Sequence, residues 1–297
     1  MATDTVTDLF EEHRPVLTGV AYRMLGRIAD AEDVVQEAWL RWSADERADV
    51  REPRGYLVRI TTRLAIDRLR HVQSRRESYV GPWLPEPIAT EFGPVAPDTA
   101  ERAVLAESVS LAVLVVLESL SPLERAVFVL REAFGFPYAE IAATLEKSEA
   151  AVRQLAGRAR KHVDERKHRY DVDPAECRNL TERFLAAASG GDLEGLLSLL
   201  APDVRLVGDG GGKTKAPLRV IESADKVGRF LFAVSQEPIP DADFRFVELN
   251  GAPALLVLSG GKPDSVLQME VLDGRIQCVY VIRNPDKLLA VASLGAA

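Results

Sequence analysis

The chain has 297 residues and a formal net charge of −8. This is too long for one small core, and a prior of about 150 residues per domain suggests two or three domains. The acidic balance excludes a global basic field that would draw the whole protein onto nucleic acid. The two cysteines, Cys177 and Cys278, are far apart and belong to no CxxC pair. We therefore expect no disulfide framework, no metal site and a reduced cytoplasmic setting.

Nothing in the sequence indicates a membrane or secretory protein. Residues 1–13 are acidic and lack the apolar segment of a secretory signal. The longest apolar run, residues 111–117, is far too short to span a bilayer.

Residues 4–76 repeat apolar side chains at helical steps of three and four. Within this stretch, residues 30–42 predict a helix with an acidic, amide-bearing face that also exposes an aliphatic side chain. Such a face suits a basic protein partner better than DNA, although a merely solvated helix face has the same pattern. The residues concerned are Asp30, Asp33, Gln36, Glu37 and Leu40.

Residues 53–70 predict a second kind of helix, apolar on one side and rich in arginine on another. A local basic stripe can bind phosphate even on an acidic protein, although a solvated face would also look like this. The outward set is Arg59, Arg63, Asp67 and Arg70. Five prolines then make residues 78–98 an extended linker between two helical modules.

The pattern of residues 121–163 is that of a DNA-reading helix-turn-helix. Ser121, Pro122 and Glu124 form a capping box with proline at the first helical position. Residues 134–137 break that helix, residues 138–145 restart it, and Ser148 offers an N-cap to a third helix.

The spacing of apolar residues in the third helix predicts an inward stripe of Val152, Leu155, Ala156 and Ala159. Its outward residues can bond phosphates and base edges, although an ordinary helical hairpin with a cationic face would show the same spacing. With the N-cap residue they are Ser148, Arg153, Gln154, Arg158, Arg160 and Lys161.

Beyond residue 173 the pattern predicts two helices followed by a run of antiparallel strands, which is an α+β domain. The helices are expected at 175–189 and 193–200. The strands are expected at 204–207, 244–249, 254–258, 266–271 and 276–282, and Asn250-Gly251 and Asp273-Gly274 are hairpin signals.

Taken together, residues 1–170 resemble a bacterial sigma factor of the extracytoplasmic-function class. The resemblance assigns the acidic helix to binding core RNA polymerase, the arginine-bearing helix to the minus-ten element and the helix-turn-helix to the upstream minus-35 element. The resemblance also implies two partners, which are core RNA polymerase, bound through its clamp helices and flap, and promoter DNA. Glu146 departs from the family pattern, which usually has glycine in this turn.

A narrower resemblance is to the sigma subgroup with a fused SnoaL-like C-terminal domain, of the cone-shaped nuclear-transport-factor-like α+β fold. It implies regulation from within the chain, with no separate anti-sigma protein and no cofactor. The resemblance rests on three short motifs: Trp83, Leu84, Pro85, Glu86 and Pro87 in the linker; Asp209, Gly210, Gly211, Gly212 and Lys213; and Asn284, Pro285, Asp286, Lys287 and Leu288. We expect the second and third motifs to be docking surfaces for the linker motif.

The expected division is a region 2 module (1–77), the linker (78–98), a region 4 module (99–170) and a regulatory domain (171–297). Two other functions stay open. One is a freestanding DNA-binding regulator. The other is a SnoaL or ketosteroid-isomerase type enzyme, or a ligand sensor, fused to a helix-turn-helix. An enzyme would need a buried acid such as Asp203, Asp209 or Glu222, and the expectation is that the chain is not an enzyme.

Overall fold

A computed structural model of the chain describes residues 2–44, 52–76, 78–89, 110–167 and 174–295. The described residues fall into two compact units. The first takes residues 2–76 and 110–166, and the second takes residues 78–89, 167 and 174–295. The two helical modules thus share one unit, and the linker belongs with the C-terminal domain as far as residue 89. Residues 90–98 of the predicted linker lie outside the described residues.

The first half of the helical unit is built from α1 (Ala2–Leu25), α2 (Ile28–Ala44) and α3 (Pro53–Arg76). Each helix turns an apolar stripe toward the other two, so that Phe10, Val34 and Leu57 are buried. The Trp42 indole is buried as well and donates from Nε1 to the Val6 carbonyl at 3.0 Å. This hydrogen bond satisfies the polar end of an otherwise apolar side chain.

The second half contains α4 (Leu111–Leu117), α5 (Pro122–Phe128), α6 (Tyr138–Leu145) and α7 (Glu149–Lys167). The predicted capping box is confirmed, since Ser121 and Glu124 exchange side-chain and backbone hydrogen bonds at the start of α5. A π-helical turn, Val129–Ala133, extends α5. Glu146 ends α6 in the left-handed region, with φ at 53°. The turn therefore holds a side chain where glycine would be unstrained.

The C-terminal unit places α8 (Pro174–Ser189), α9 (Leu193–Leu199) and α10 (Ala224–Ser235) with a six-stranded sheet of order β2-β1-β6-β5-β4-β3. The strands are β1 (Leu200–Asp209), β2 (Ile221–Glu222), β3 (Ala242–Leu249), β4 (Ala252–Ser259), β5 (Lys262–Leu272) and β6 (Arg275–Ile282). Phe184, Leu196, Val204, Val227 and Met269 share the buried core between helices and sheet.

The predicted fold class, two all-α modules with an α+β domain, is confirmed. Both hairpin signals are correct, since Asn250 and Asp273 have positive φ between paired strands. The expectation that all strands run antiparallel is wrong, because β1 pairs with β6 in parallel. Strand β2 and helix α10 were not predicted. The strand has two residues, and Ser223 before α10 makes no side-chain capping bond.

Candidate functional sites

Helix α7 presents the polar face predicted for the recognition helix. Ser148 accepts a hydrogen bond from the Ala151 amide at 3.2 Å, as an N-cap should. The inward stripe is confirmed, because Val152, Leu155, Ala156 and Ala159 are all buried. Ser148, Arg153, Gln154, Arg158, Arg160 and Lys161 are exposed.

Carboxylates of the same module hold three arginines of this face. Arg153 pairs with Glu149 through Nη2 and lies over the Tyr138 ring, 4.6 Å from its centroid. Arg160 pairs with a residue of the π-helical turn, Glu132, through Nη2 at 2.6 Å. That hydrogen bond raises the pKa of Arg160.

The third pair joins Arg158 to the capping-box carboxylate, with Nε of Arg158 3.0 Å from Oε1 of Glu124. The hydrogen bond from the Ser121 hydroxyl lowers the pKa of Glu124, and Arg158 adds to this effect. The sequence pattern predicted these arginines as DNA contacts but did not predict their acidic partners. Those partners lie 28 positions from Arg160 and 34 positions from Arg158.

The arginine-bearing helix α3 contacts the helix-turn-helix directly. Arg63 donates from Nε to the Thr144 carbonyl at 2.9 Å, and its Nη2 lies 2.8 Å from Oε1 of Glu146. The structure thus ties a predicted minus-ten residue to the turn of the other module. Asp67 and Arg70 form an exposed pair with each other at 3.1 Å, and Arg59 is exposed.

A cavity of about 250 Å³ lies between α3 and the helix-turn-helix, beside this contact. Tyr56 and Arg59 line it from α3, and Phe136, Glu140 and Ile141 line it from the other module. A cavity therefore occupies part of the contact between the two modules.

A second contact between α1 and α5 buries two guanidinium groups. Arg125 donates from Nε to the Arg23 carbonyl at 2.9 Å and lies 2.6 Å from Glu118 through Nη2. Arg23 lies over the Phe134 ring, 5.0 Å from its centroid. Burial lowers the pKa of Arg125 to about 9 and that of Arg23 to about 10. Both stay charged at neutral pH, so closing this contact removes cations from water.

The acidic helix α2 divides its predicted residues between two environments. Asp30 is buried and accepts from Arg68 of α3 at 2.8 Å, and this hydrogen bond raises the pKa of Arg68. Asp30 therefore joins two helices of its own module and is unavailable to a partner. Arg68 also reaches Asp33, at 3.0 Å. The outward face consists of Asp33, Gln36, Glu37 and Leu40.

The three short motifs meet at one buried centre in the C-terminal unit, formed by Asp209 and Lys287. Nζ of Lys287 lies 2.5 Å from Oδ2 of Asp209, and the two side chains are 2 % and 0 % exposed. The same Oδ2 accepts from the Leu84 amide at 2.8 Å. The ammonium also bonds the Leu84 carbonyl and lies 4.0 Å from the Trp83 ring centroid. The linker is thus held through its backbone and through a cation–π contact.

The remaining motif residues support this centre. Tyr79, which lies outside the three predicted motifs, donates to Oδ1 of Asp209 at 2.5 Å and accepts from Asn284 at 2.8 Å. A Cβ at Gly211 would lie 2.3 Å from the Asn284 amide nitrogen, so the turn needs glycine there. Lys213 pairs with Asp286 on the surface. Gly210, Leu84, Pro85, Glu86, Pro87 and Leu288 are buried, whereas Gly212 and Pro285 are exposed.

These contacts change the interpretation of the C-terminal carboxylates. Asp209 is buried but shared by Lys287, Tyr79 and the Leu84 amide, so it is not poised as a general base. Asp203 and Glu222 are exposed. In the described residues no group of three His, Cys, Asp or Glu side chains could hold a metal ion. None of the helices described combines the length and apolar character that a membrane span requires.

Comparisons with known proteins agree with this architecture. Residues 9–76 match the family model of Sigma-70 region 2, and residues 110–163 match that of Sigma-70 region 4. The chain is 40% identical over 295 residues to the ECF RNA polymerase sigma factor SigJ of Mycobacterium tuberculosis, covering 94% of this chain and 91% of the relative. It is 35% identical to the probable ECF sigma factor SigI of the same organism over 290 residues, covering 96% and 95%.

The crystal structure of M. tuberculosis SigJ superimposes on the chain with a TM-score of 0.76 at 38% identity. The superposition covers 96% of this chain and 98% of that one. The likeness therefore extends through the C-terminal α+β domain.

Proposed function

The chain belongs to the extracytoplasmic-function sigma factors of RNA polymerase, and we propose how its own residues perform and restrain promoter selection. A sigma factor binds core RNA polymerase and directs it to begin transcription at specific promoters. The chain therefore takes core polymerase and promoter DNA as partners, and we place its work in the cytoplasm. The exposed recognition helix of the capped helix-turn-helix is the observation that carries this assignment.

We assign polymerase binding to the outward face of α2, which consists of Asp33, Gln36, Glu37 and Leu40. Leu40 is 59% exposed and lies beside the charged side chains of Glu37 and Arg41. An apolar anchor within a charged surface is a common arrangement in protein interfaces, where the charges set encounter rate and register. Asp30 has a separate task, because its ion pair with Arg68 holds α2 against α3.

We assign the opened minus-ten strand to Arg59, Arg63, Asp67 and Arg70 of α3, and the minus-35 element to α7. Within α7, Arg153 and Gln154 lie nearer the N-terminal end, which enters the major groove in helix-turn-helix proteins. They are suited to reading base edges. Arg160 and Lys161 lie further along and are suited to phosphates, and Arg158 lies between the two pairs.

The contact between α3 and the helix-turn-helix indicates how the free chain is restrained. Arg63 must release Thr144 and Glu146 before its whole guanidinium group can bind DNA. Two promoter elements that lie apart on a duplex, at 3.4 Å per base pair, also cannot be read by helices in direct contact. We therefore propose that the helical unit opens when core polymerase binds, releasing Arg63.

We propose that the C-terminal domain sets this restraint by holding the linker. Residues 78–89 follow α3 directly, and the Asp209–Lys287 centre fixes their backbone. A linker held at this point limits how far the two modules can separate, so the domain takes the place of a separate anti-sigma protein.

Run-off transcription with purified core polymerase tests the assignment. The intact chain should start transcription at a discrete promoter, and a chain ending at residue 170 should do so at a different level. Replacing Asp33 and Glu37 with alanine should weaken capture of core polymerase without unfolding the helical unit. Unchanged capture would contradict the assignment of α2, and equal transcription by the two chains would contradict regulation by the C-terminal domain.

A further inference from the structure

We infer that Glu124 is a positioning residue for promoter reading, because its carboxylate orients Arg158 on the recognition helix. The inference rests on the proposed role of Arg158 at the upstream element. It adds a residue outside the recognition helix to the determinants of promoter preference.

The two oxygens of the Glu124 carboxylate have separate partners. Oε2 accepts from the Ser121 amide at 3.2 Å and from the Ser121 hydroxyl at 2.6 Å, which closes the capping box. Oε1 accepts from Nε of Arg158 at 3.0 Å. The Glu124 side chain is 21% exposed and is fixed by the helix start, whereas the Arg158 side chain is 58% exposed. The fixed group therefore orients the exposed one.

Binding through Nε leaves the outer edge of the guanidinium available. In the described part of the chain, Nη1 and Nη2 of Arg158 have no hydrogen-bond partner. These two nitrogens form the fork that bonds guanine O6 and N7, or two phosphate oxygens. Arg153 and Arg160 differ, because each is held through Nη2 and must release its carboxylate before the whole fork can bind DNA.

Glu124→Gln separates orientation from helix capping. Glutamine at this position still completes a capping box. It has a single side-chain oxygen, however, so satisfying Ser121 turns an amide NH₂ toward the Nε–H of Arg158. Two donors then face each other, and Arg158 loses its fixed plane while α5 keeps its cap.

The experiment uses the full chain assembled with core polymerase. Two duplexes are compared: one selected by the wild-type holoenzyme from a randomised pool, and the same duplex with its upstream element scrambled. We expect Glu124→Gln and Arg158→Ala each to lower the ratio of the two affinities by roughly tenfold. The double variant should lower it no further than Arg158→Ala alone. Glu132→Gln removes an equal charge from the partner of Arg160, and it should leave the ratio unchanged.

Ser121→Ala supplies the structural control, because it removes the hydroxyl of the cap while the residue 121 amide still holds Oε2 of Glu124 and Oε1 still accepts from Arg158. We expect a lower melting temperature with the affinity ratio retained. Loss of the ratio in Ser121→Ala would overturn the inference, as would independent losses that multiply in the double variant. If Arg158→Ala leaves the ratio unchanged, the assignment of Arg158 fails and the inference fails with it. If only Glu124→Gln leaves it unchanged, the proposed function stands and the inference alone is wrong.

Discussion

Two charged contacts govern the proposed behaviour of this sigma factor, and they differ in how far water reaches them. In the C-terminal unit, Asp209 and Lys287 are almost fully buried, and they bond the Tyr79 hydroxyl and the backbone of Leu84. In the helical unit, the Arg63 and Glu146 side chains remain 41% and 75% exposed. The first contact has the character of a permanent anchor, and the second that of a contact that opens.

The physical reason for this difference is the environment of the charges. Breaking a buried pair leaves an uncompensated charge in a medium that cannot solvate it. An exposed pair exchanges its partner for water at little cost. The helical unit also buries Arg23 and Arg125, whose charges regain water if that contact separates. We therefore expect the linker to stay attached to the C-terminal domain when the helical modules part.

The largest expected effect comes from Lys287→Met, which leaves Asp209 buried without its cation. We expect the C-terminal unit to lose about 3–5 kcal/mol of unfolding free energy. Chemical denaturation of the full chain, followed by hydrogen exchange of the β1 and β6 amides, measures this loss. Lys213→Met is the matched control, since it breaks an exposed pair with Asp286 and should cost less than about 1 kcal/mol. Equal losses in the two variants would contradict the anchor.

An intermediate effect is expected for Tyr79→Phe. The change removes the hydroxyl that donates to Asp209 and accepts from Asn284, but it keeps the ring. A buried carboxylate then lacks one hydrogen bond, which costs about 1–3 kcal/mol. The same denaturation assay measures the loss, and the linker should remain attached. A loss as large as that of Lys287→Met would show that hydrogen bonding, rather than the ion pair, holds the linker.

The smallest effect on stability is expected for Glu146→Gln, which weakens the exposed pair with Arg63. We expect less than about 1 kcal/mol in unfolding free energy, because exposed pairs contribute little. The same energy shifts the closed-to-open balance by up to about fivefold, so complex formation with core polymerase should be faster. Stopped-flow binding measures this rate. Glu12→Gln removes an exposed charge from α1 and should leave it unchanged, whereas slower binding by Glu146→Gln would contradict the contact's restraining role.

Local sequence patterns predicted much of the fold. Ser121 and Glu124 marked a helix start because a capping box uses residues three apart. The Asn250-Gly251 and Asp273-Gly274 turns were visible because positive φ restricts residue type. Residues within a few positions of each other constrain the backbone directly, and one sequence therefore displays them.

Contacts between distant residues were not predictable in the same way. Arg63 and Thr144 are 81 positions apart, and Tyr79 and Asp209 are 130 apart. In each pair, the sequence around one residue does not indicate which distant residue it contacts. The parallel pairing of β1 with β6 was missed for this reason, since strand direction depends on the connection between them. The prediction that Asp30 faces a partner is wrong for the same reason. Its inward orientation depends on Arg68 of another helix, which the local pattern around Asp30 does not reveal.

Opening of the helical unit is the central step of the proposed restraint. Cysteines replacing Glu32 on α2 and Glu165 on α7 place fluorescent labels on two exposed positions, while native Cys177 and Cys278 are buried. Energy transfer between the labels is then measured in the free chain and after adding core polymerase. We predict one short distance between the labels in the free chain and a longer distance in the complex. In the Glu146→Gln variant, the change to the longer distance should be faster. An unchanged distance on polymerase binding would contradict the account.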